Sequence, residues 1–134
     1  MGVPFSRELM MISVLVGILT VVLLLSHAFM DFDSDKKNNK KTLLVRLKTK
    51  ERALNFLFLL VFISYVLIFL LVYFKIISCV GLIAIFTLPM VYRLYTYLKE
   101  YIKNPLPNVF LRNFKLARNL VSSLDVILAI AIIF

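Results

Sequence analysis

Long apolar stretches alternate with short polar connections along this chain. Four stretches are rich in Leu, Ile, Val and Phe and almost free of charge: residues 10–29, 54–74, 76–98 and 116–134. An α-helix rises about 1.5 Å per residue, so about twenty apolar residues cross the roughly 30 Å hydrocarbon core of a bilayer. Only helices and closed barrels satisfy their backbone in lipid, and no alternating strand pattern is visible. The pattern therefore predicts four transmembrane helices.

The composition supports the same class. The chain is 62% hydrophobic, whereas soluble domains are roughly half apolar. We therefore expect residues 1–134 to form a single all-α domain of a multi-pass integral membrane protein. A cleaved signal peptide at the first span is disfavoured, because the apolar run is longer than usual for such a segment and Glu8 lies among its flanking residues.

The positive charges are sorted by connection. Most of the 16 Lys and Arg residues lie between the first and second spans and between the third and fourth. If all four spans cross, these connections share one face, which the positive-inside rule places in the cytoplasm of a cell whose inner membrane holds the protein. The net charge of +9 then indicates orientation and attraction to anionic membrane lipid. Nucleic acid is not an expected partner, because the basic loops lack interleaved aromatic residues.

Three aspartates follow the first span: Asp31, Asp33 and Asp35. Asp31 and Asp35 are four residues apart, so a helix through them would place both on one face, about 5–6 Å apart. Two carboxylates at that distance repel by roughly 3 kcal/mol at an effective dielectric of about 20. Mg²⁺ would offset this repulsion, because it prefers oxygen ligands and binds through one or two carboxylates plus substrate phosphates.

Basic residues follow the aspartates closely. They are suited to the remaining charge of a diphosphate, and the candidates are Lys36, Lys40, Lys41 and Arg46. The alternative is that the carboxylates only solvate a helix end and neutralise neighbouring lysines. Spacing alone leaves both interpretations open.

The segment DFDSDKKNNKKTLLVRL resembles the second aspartate-rich motif of the UbiA superfamily of intramembrane prenyltransferases. It is most similar to the menaquinone-type branch, whose pattern is D-x-x-x-D, a polar turn, then K-x-T-L-x-V-R-L. Asp31 and Asp35 match the two aspartates. The matching tail residues are Lys40, Thr42, Leu43, Val45, Arg46 and Leu47.

The resemblance implies a fold and an activity. The chain would correspond to the last four helices of a bundle of about nine. The activity would be the Mg²⁺-dependent transfer of a polyprenyl group from its diphosphate to an aromatic acceptor, as in menaquinone biosynthesis. Asp31 and Asp35 would be the catalytic, metal-binding residues, and the four basic residues named above would bind the diphosphate.

The sequence also departs from the family pattern. Asn39 and Lys48 occupy positions where the family often has glycine, and asparagine can adopt the left-handed conformation that glycine supplies. The first aspartate-rich motif is not present in this sequence. We therefore expect the chain to be inactive alone, as a C-terminal fragment or as half of a split enzyme that needs an N-terminal partner. The alternative is a small nonenzymatic membrane protein with an assembly or lipid-binding role.

Three residues raise separate expectations. Pro89 predicts a kink in the third span. Asp125 would cost about 2.5–3.5 kcal/mol at mid-bilayer, so we expect it to face the protein interior, where it would meet a polar cavity or pair with Asn119 or Ser123. His27, at the end of the first span, is interpreted as an interfacial residue rather than as a group that faces the acceptor.

Overall fold

The computed structural model describes residues 6–104 and 106–134, and in this part of the chain it contains helices and no strand. The elements are α1 (Arg7–Ala28), α2 (Phe32–Lys37), α3 (Leu43–Arg46), α4 (Lys50–Tyr73), a 3₁₀ helix (Cys79–Thr87), α5 (Leu88–Lys103) and α6 (Pro107–Ile133). Four segments are long and apolar enough to cross a membrane: α1, α4, the 3₁₀ helix joined to α5, and α6. The predicted all-α, polytopic fold is confirmed.

The first two spans begin earlier than hydropathy predicted, because polar residues cap them. The Ser6 hydroxyl accepts a hydrogen bond from the amide of Leu9 (3.1 Å) at the start of α1. The Thr49 hydroxyl accepts one from the amide of Arg52 (3.3 Å) at the start of α4. Such caps satisfy amide groups that have no partner within the helix. The helices therefore extend beyond their apolar portions into the charged flanks.

The third span differs from the continuous helix predicted over residues 76–98. The chain turns after α4, forms the 3₁₀ helix, and becomes α-helical only from Leu88 to Lys103. Pro89 lies in the first turn of α5, where its missing N–H group would have no helical acceptor in any case. Further along a continuous helix its ring would clash with an earlier carbonyl. The kink expected at Pro89 is thus a change from 3₁₀ to α geometry.

The four spans pack in a ring. α1 packs against α4 and α6, while α5 and its 3₁₀ extension pack between α4 and α6. Several small residues are buried at these contacts, namely Ser64, Gly81, Ala84, Ala117 and Ala131. Small residues allow helix backbones to approach closely in a membrane. A Cβ atom at Gly81 would lie 2.9 Å from Cδ1 of Ile77 and 3.1 Å from Cγ2 of Val72, so a larger residue there would require these side chains to move.

The outer surface of the ring is mostly apolar in the described residues. Phe62, Phe69 and Phe86 are 66%, 60% and 82% exposed, as expected for side chains that contact lipid. Asp125 is also exposed, so the expectation that it faces the interior is wrong.

Its predicted pairing with Asn119 or Ser123 is wrong as well, since the Ser123 hydroxyl donates to the Asn119 carbonyl instead (2.7 Å). The buried face of α6 contains Leu120, Leu124 and Leu128. Because each residue turns a helix by about 100°, Asp125 is rotated away from that face.

Candidate functional site

Two buried side chains anchor the acidic segment to one end of the bundle. Phe32 on α2 is 3% exposed and Leu44 on α3 is 1% exposed, and both belong to the hydrophobic core. This end also carries the end of α1 and the start of α4, and we call it the basic end. The aspartates and the lysines that follow therefore lie on a loop held against the bundle.

Asp31 and Asp35 lie one helical turn apart, as their spacing predicted. Asp31 immediately precedes α2, and the Asp35 amide donates a hydrogen bond to its carbonyl (2.8 Å). The helix is not a continuation of α1, which ends at Ala28; the amide of Asp31 bonds to the Ala28 carbonyl (3.2 Å) in the intervening turn. A separate short helix, rather than an extension of α1, thus places the two aspartates one turn apart. The Asp31 side chain makes no capping hydrogen bond.

Lys40 returns to Asp35 through a tight turn. Its ammonium group lies 3.2 Å from Oδ1 of Asp35, whose side chain is 13% exposed. Its amide also donates to the Asp35 carbonyl (2.9 Å). Asn39 has a φ of 53° and Lys48 a φ of 68°, so both positions where the family often has glycine are left-handed. The expectation that Asn39 preserves the turn is confirmed.

Asp33 has a partner that the sequence did not reveal. Nζ of Lys50 lies 2.6 Å from Oδ2 of Asp33 and 5.8 Å from the centre of the Phe32 ring. The first residue of α4 is therefore attached to α2. A separation of 17 residues follows no local rule, so no sequence signal identified this pair.

The other candidate cations are at the basic end but are not joined to the aspartates. Lys36, Lys41 and Arg46 are exposed, and within the described residues none of them forms an ion pair. α3, which carries Arg46, packs against α2. Their role in binding a diphosphate stays a prediction.

The donor atoms fit part of a magnesium site. Asp31 and Asp35 offer carboxylate oxygens, the ligand type that Mg²⁺ prefers, and Mg²⁺ commonly keeps several waters or binds substrate phosphates in addition. Across residues 6–104 and 106–134, no three His, Cys, Asp or Glu side chains form a group that could hold a metal ion. Phosphate oxygens, water or further residues would have to supply the other ligands.

His27 packs against aromatic side chains of α6. Its ring lies 5.1 Å from that of Phe114 and 6.1 Å from that of Phe110, both in edge-to-face geometry. These contacts join the last turn of α1 to α6. The interpretation of His27 as a residue at the membrane interface stays a prediction.

Comparison with known proteins adds one finding to this geometry. The family model described as the UbiA prenyltransferase family matches residues 1–116. The match includes the acidic segment, α4 and α5, and extends into α6. No match was found among curated proteins or among solved structures.

Proposed function

The chain belongs to the UbiA prenyltransferase family, and from that membership we propose that it binds a polyprenyl diphosphate with Mg²⁺ at the basic end, for transfer of the prenyl group to an aromatic acceptor. The observation that carries this proposal is the placement of Asp31, just before α2, one turn from Asp35 on α2. Lys40 lies against the second of them.

The aspartates would bind the metal ion. Two carboxylates one turn apart repel each other, and a divalent cation bound between them would offset that repulsion. Asp31 makes no capping bond, and Asp35 is held in place by Lys40. Bound Mg²⁺ would stabilise the negative charge that develops on the diphosphate as its bond to the prenyl group breaks.

The basic residues around α2 would bind the phosphate oxygens. Lys36, Lys41 and Arg46 are exposed at the same end as the aspartates. Lys40, which contacts Asp35, would bridge that carboxylate and an incoming phosphate. Hydrogen bonds between charged partners are about twice as strong as neutral ones. These side chains would therefore orient the diphosphate at the end of the bundle while the prenyl tail lies along its apolar helices.

The acceptor we propose is a dihydroxynaphthoate-type ring, as in the menaquinone-type branch. The support is the tail of the motif, where Thr42, Val45 and Arg46 match that branch. A comparison of prenylation rates with dihydroxynaphthoate and hydroxybenzoate acceptors tests this choice. Faster prenylation of hydroxybenzoate would reject it.

We also infer that a second aspartate-rich membrane segment completes the site, on the same polypeptide or on a separate one. The support is that the first aspartate-rich motif of the family is not present in residues 1–134. The chain of residues 1–134 alone would then bind its substrate weakly and be inactive.

A binding experiment tests the carboxylate pair directly. The full chain in nanodiscs is titrated with geranyl diphosphate in the presence and absence of Mg²⁺, using calorimetry. We expect binding that requires Mg²⁺ and that weakens about tenfold or more in Asp31→Asn and in Asp35→Asn, because each change removes a ligand charge. Glu8→Gln is the matched control and should bind normally, since Glu8 is an exposed carboxylate in the first turn of α1, at the opposite end of that helix from α2.

An activity experiment tests the transfer. The chain is produced together with the N-terminal helices of another family member, and incorporation of labelled prenyl groups is measured. We expect activity only with both parts present, and a loss of about 100-fold or more in Asp35→Asn. If binding and activity are indifferent to both Asp31→Asn and Asp35→Asn, the nonenzymatic assembly or lipid-binding role is favoured instead.

A further inference from the structure

A cleft with two chemically different parts runs along the outside of α4 and α5. The first part is a cavity of about 280 Å³ at the basic end, where Glu51, Asn55, Lys99 and Lys103 line it together with Leu54, Tyr95 and Ile102. The second is a cavity of about 260 Å³ lined by Phe58, Phe62, Leu88, Val91 and other apolar or aromatic side chains. The cleft is therefore amphiphilic.

The two cavities follow each other along the same pair of helices. α4 and α5 are antiparallel here, because the cavity at the basic end joins the first turn of α4 to the last turn of α5. Tyr95 lines the cavity at the basic end and Phe58 lines the apolar one. Their rings make an edge-to-face contact, with centres 5.1 Å apart, so the two cavities adjoin. From Asn55 to Phe62 is about two helical turns, or about 10 Å. The apolar part thus lies about 10 Å deeper in the spans than the charged part.

The charged part has an excess of positive charge. Lys99 and Lys103 are one turn apart on α5 and exposed, and among the described residues neither forms an ion pair. The ammonium group of Lys99 lies 5.8 Å from the centre of the Tyr95 ring, which orients it at the cavity. Glu51 offsets one of the two positive charges, and Asn55 adds a hydrogen-bond donor.

We propose that this cleft binds an anionic phospholipid, with its phosphate at Lys99 and Lys103 and an acyl chain in the apolar part. Basic residues at a membrane surface attract anionic headgroups, and the apolar cavity below them suits a hydrocarbon chain. None of the residues that line this cleft belongs to the acidic segment, so the proposed site goes beyond the proposed function. The cleft has a single carboxylate, Glu51, and no pair of aspartates that would bind the divalent cation of a diphosphate.

The charge of the headgroup is tested first. The full chain is titrated with phosphatidylglycerol or phosphatidylcholine, and bound lipid is counted by native mass spectrometry. We expect clear preference for phosphatidylglycerol, and about tenfold weaker binding of it in the double variant Lys99→Gln/Lys103→Gln. The control Lys37→Gln/Lys48→Gln removes the same charge from exposed positions at the basic end and should retain the lipid. Equal retention of both lipids, or equal loss in both double variants, overturns the proposal.

The apolar part is tested by filling it. Val91→Phe should reduce retention of phosphatidylglycerol by filling the apolar cavity. Circular dichroism and gel filtration should show an intact fold in this variant. Excess inorganic phosphate should not displace the lipid; displacement would identify a simple anion site and reject a lipid site. Retention unchanged by Val91→Phe in a folded protein would also reject it. Binding of geranyl diphosphate with Mg²⁺ should be unchanged in Lys99→Gln/Lys103→Gln. The lipid proposal and the prenyltransferase proposal can therefore fail independently, and the two binding measurements tell which one has failed.

Discussion

Nζ of Lys50 lies 2.6 Å from Oδ2 of Asp33, so the first residue of α4 forms an ion pair with a residue of α2. This pair separates the three aspartates of the acidic segment into two groups. Asp33 has a partner on another helix, whereas Asp31 and Asp35 lie one turn apart and Asp35 is paired with Lys40 of the following turn. The pair also explains how a helix of six residues, Phe32–Lys37, keeps its place at the end of the bundle.

The energetic coupling of Lys50 and Asp33 can be measured with a double-mutant cycle. We expect Asp33→Asn, Lys50→Gln and the double variant to give a coupling of about 0.5–1 kcal/mol in unfolding, the size typical of an exposed pair. The Asp33 side chain is 62% exposed, which limits the value. Thermal unfolding in detergent provides the measurement, at low and at high salt. A coupling near zero at low salt would show that the pair does not hold α2.

Asn39 and Lys48 have left-handed backbone conformations, so replacing them with glycine should not have the destabilising effect that glycine has in a helix. Lys48→Gly should stabilise the chain by about 1 kcal/mol, because a side chain costs about that much at positive φ and glycine does not. Asn39→Gly should have a smaller effect, since asparagine tolerates this conformation.

The matched control is Lys37→Gly, at the last residue of α2. Its backbone is helical, so glycine should destabilise it by up to about 1 kcal/mol. Chemical unfolding of the three variants checks the order. Destabilisation by Lys48→Gly comparable to that of Lys37→Gly would contradict the assigned backbone conformation.

The sequence predicted the spans and the spacing of the aspartates, but not how the spans pack. Twenty apolar residues in a row are sufficient to identify a span. They do not identify its buried face, because lipid-facing positions such as Phe62 are as apolar as buried positions such as Leu57. The turn of Asp31 and Asp35 follows from local geometry. The contact of Lys50 with Asp33 depends on how α2 and α4 meet in space, which local patterns do not determine.

A hydrogen bond between Tyr65 and Thr87 joins α4 to the end of the 3₁₀ helix. Thr87 also donates to the Ala84 carbonyl (2.6 Å) and is 7% exposed. We expect Tyr65→Phe to destabilise the chain by about 1 kcal/mol, the usual net value of such a bond. Tyr73→Phe is the control, because Tyr73 is 72% exposed at the end of α4. Equal midpoints of thermal unfolding for the two variants would mean that the bond contributes nothing.

Asp125 gives a prediction about membrane insertion. It lies on the outer face of α6, about 10 Å along the helix from Arg118 and therefore well inside the apolar part of the span. A carboxylate at the centre of a span costs about 2.5–3.5 kcal/mol. We expect Asp125→Leu to increase strongly the fraction of the α6 segment that inserts, as measured by glycosylation of flanking acceptor sites in microsomes.

Ser122→Leu is the matched control, because Ser122 is also exposed on α6 and lies one turn earlier but has no charge. Its effect should be smaller, since a hydroxyl can bond to the carbonyl one turn back, as Ser123 does to Asn119. If the two substitutions change insertion equally, charge is not what limits it. That result would place Asp125 near the membrane surface, and the fourth span would then have to be shifted along α6 relative to the basic end.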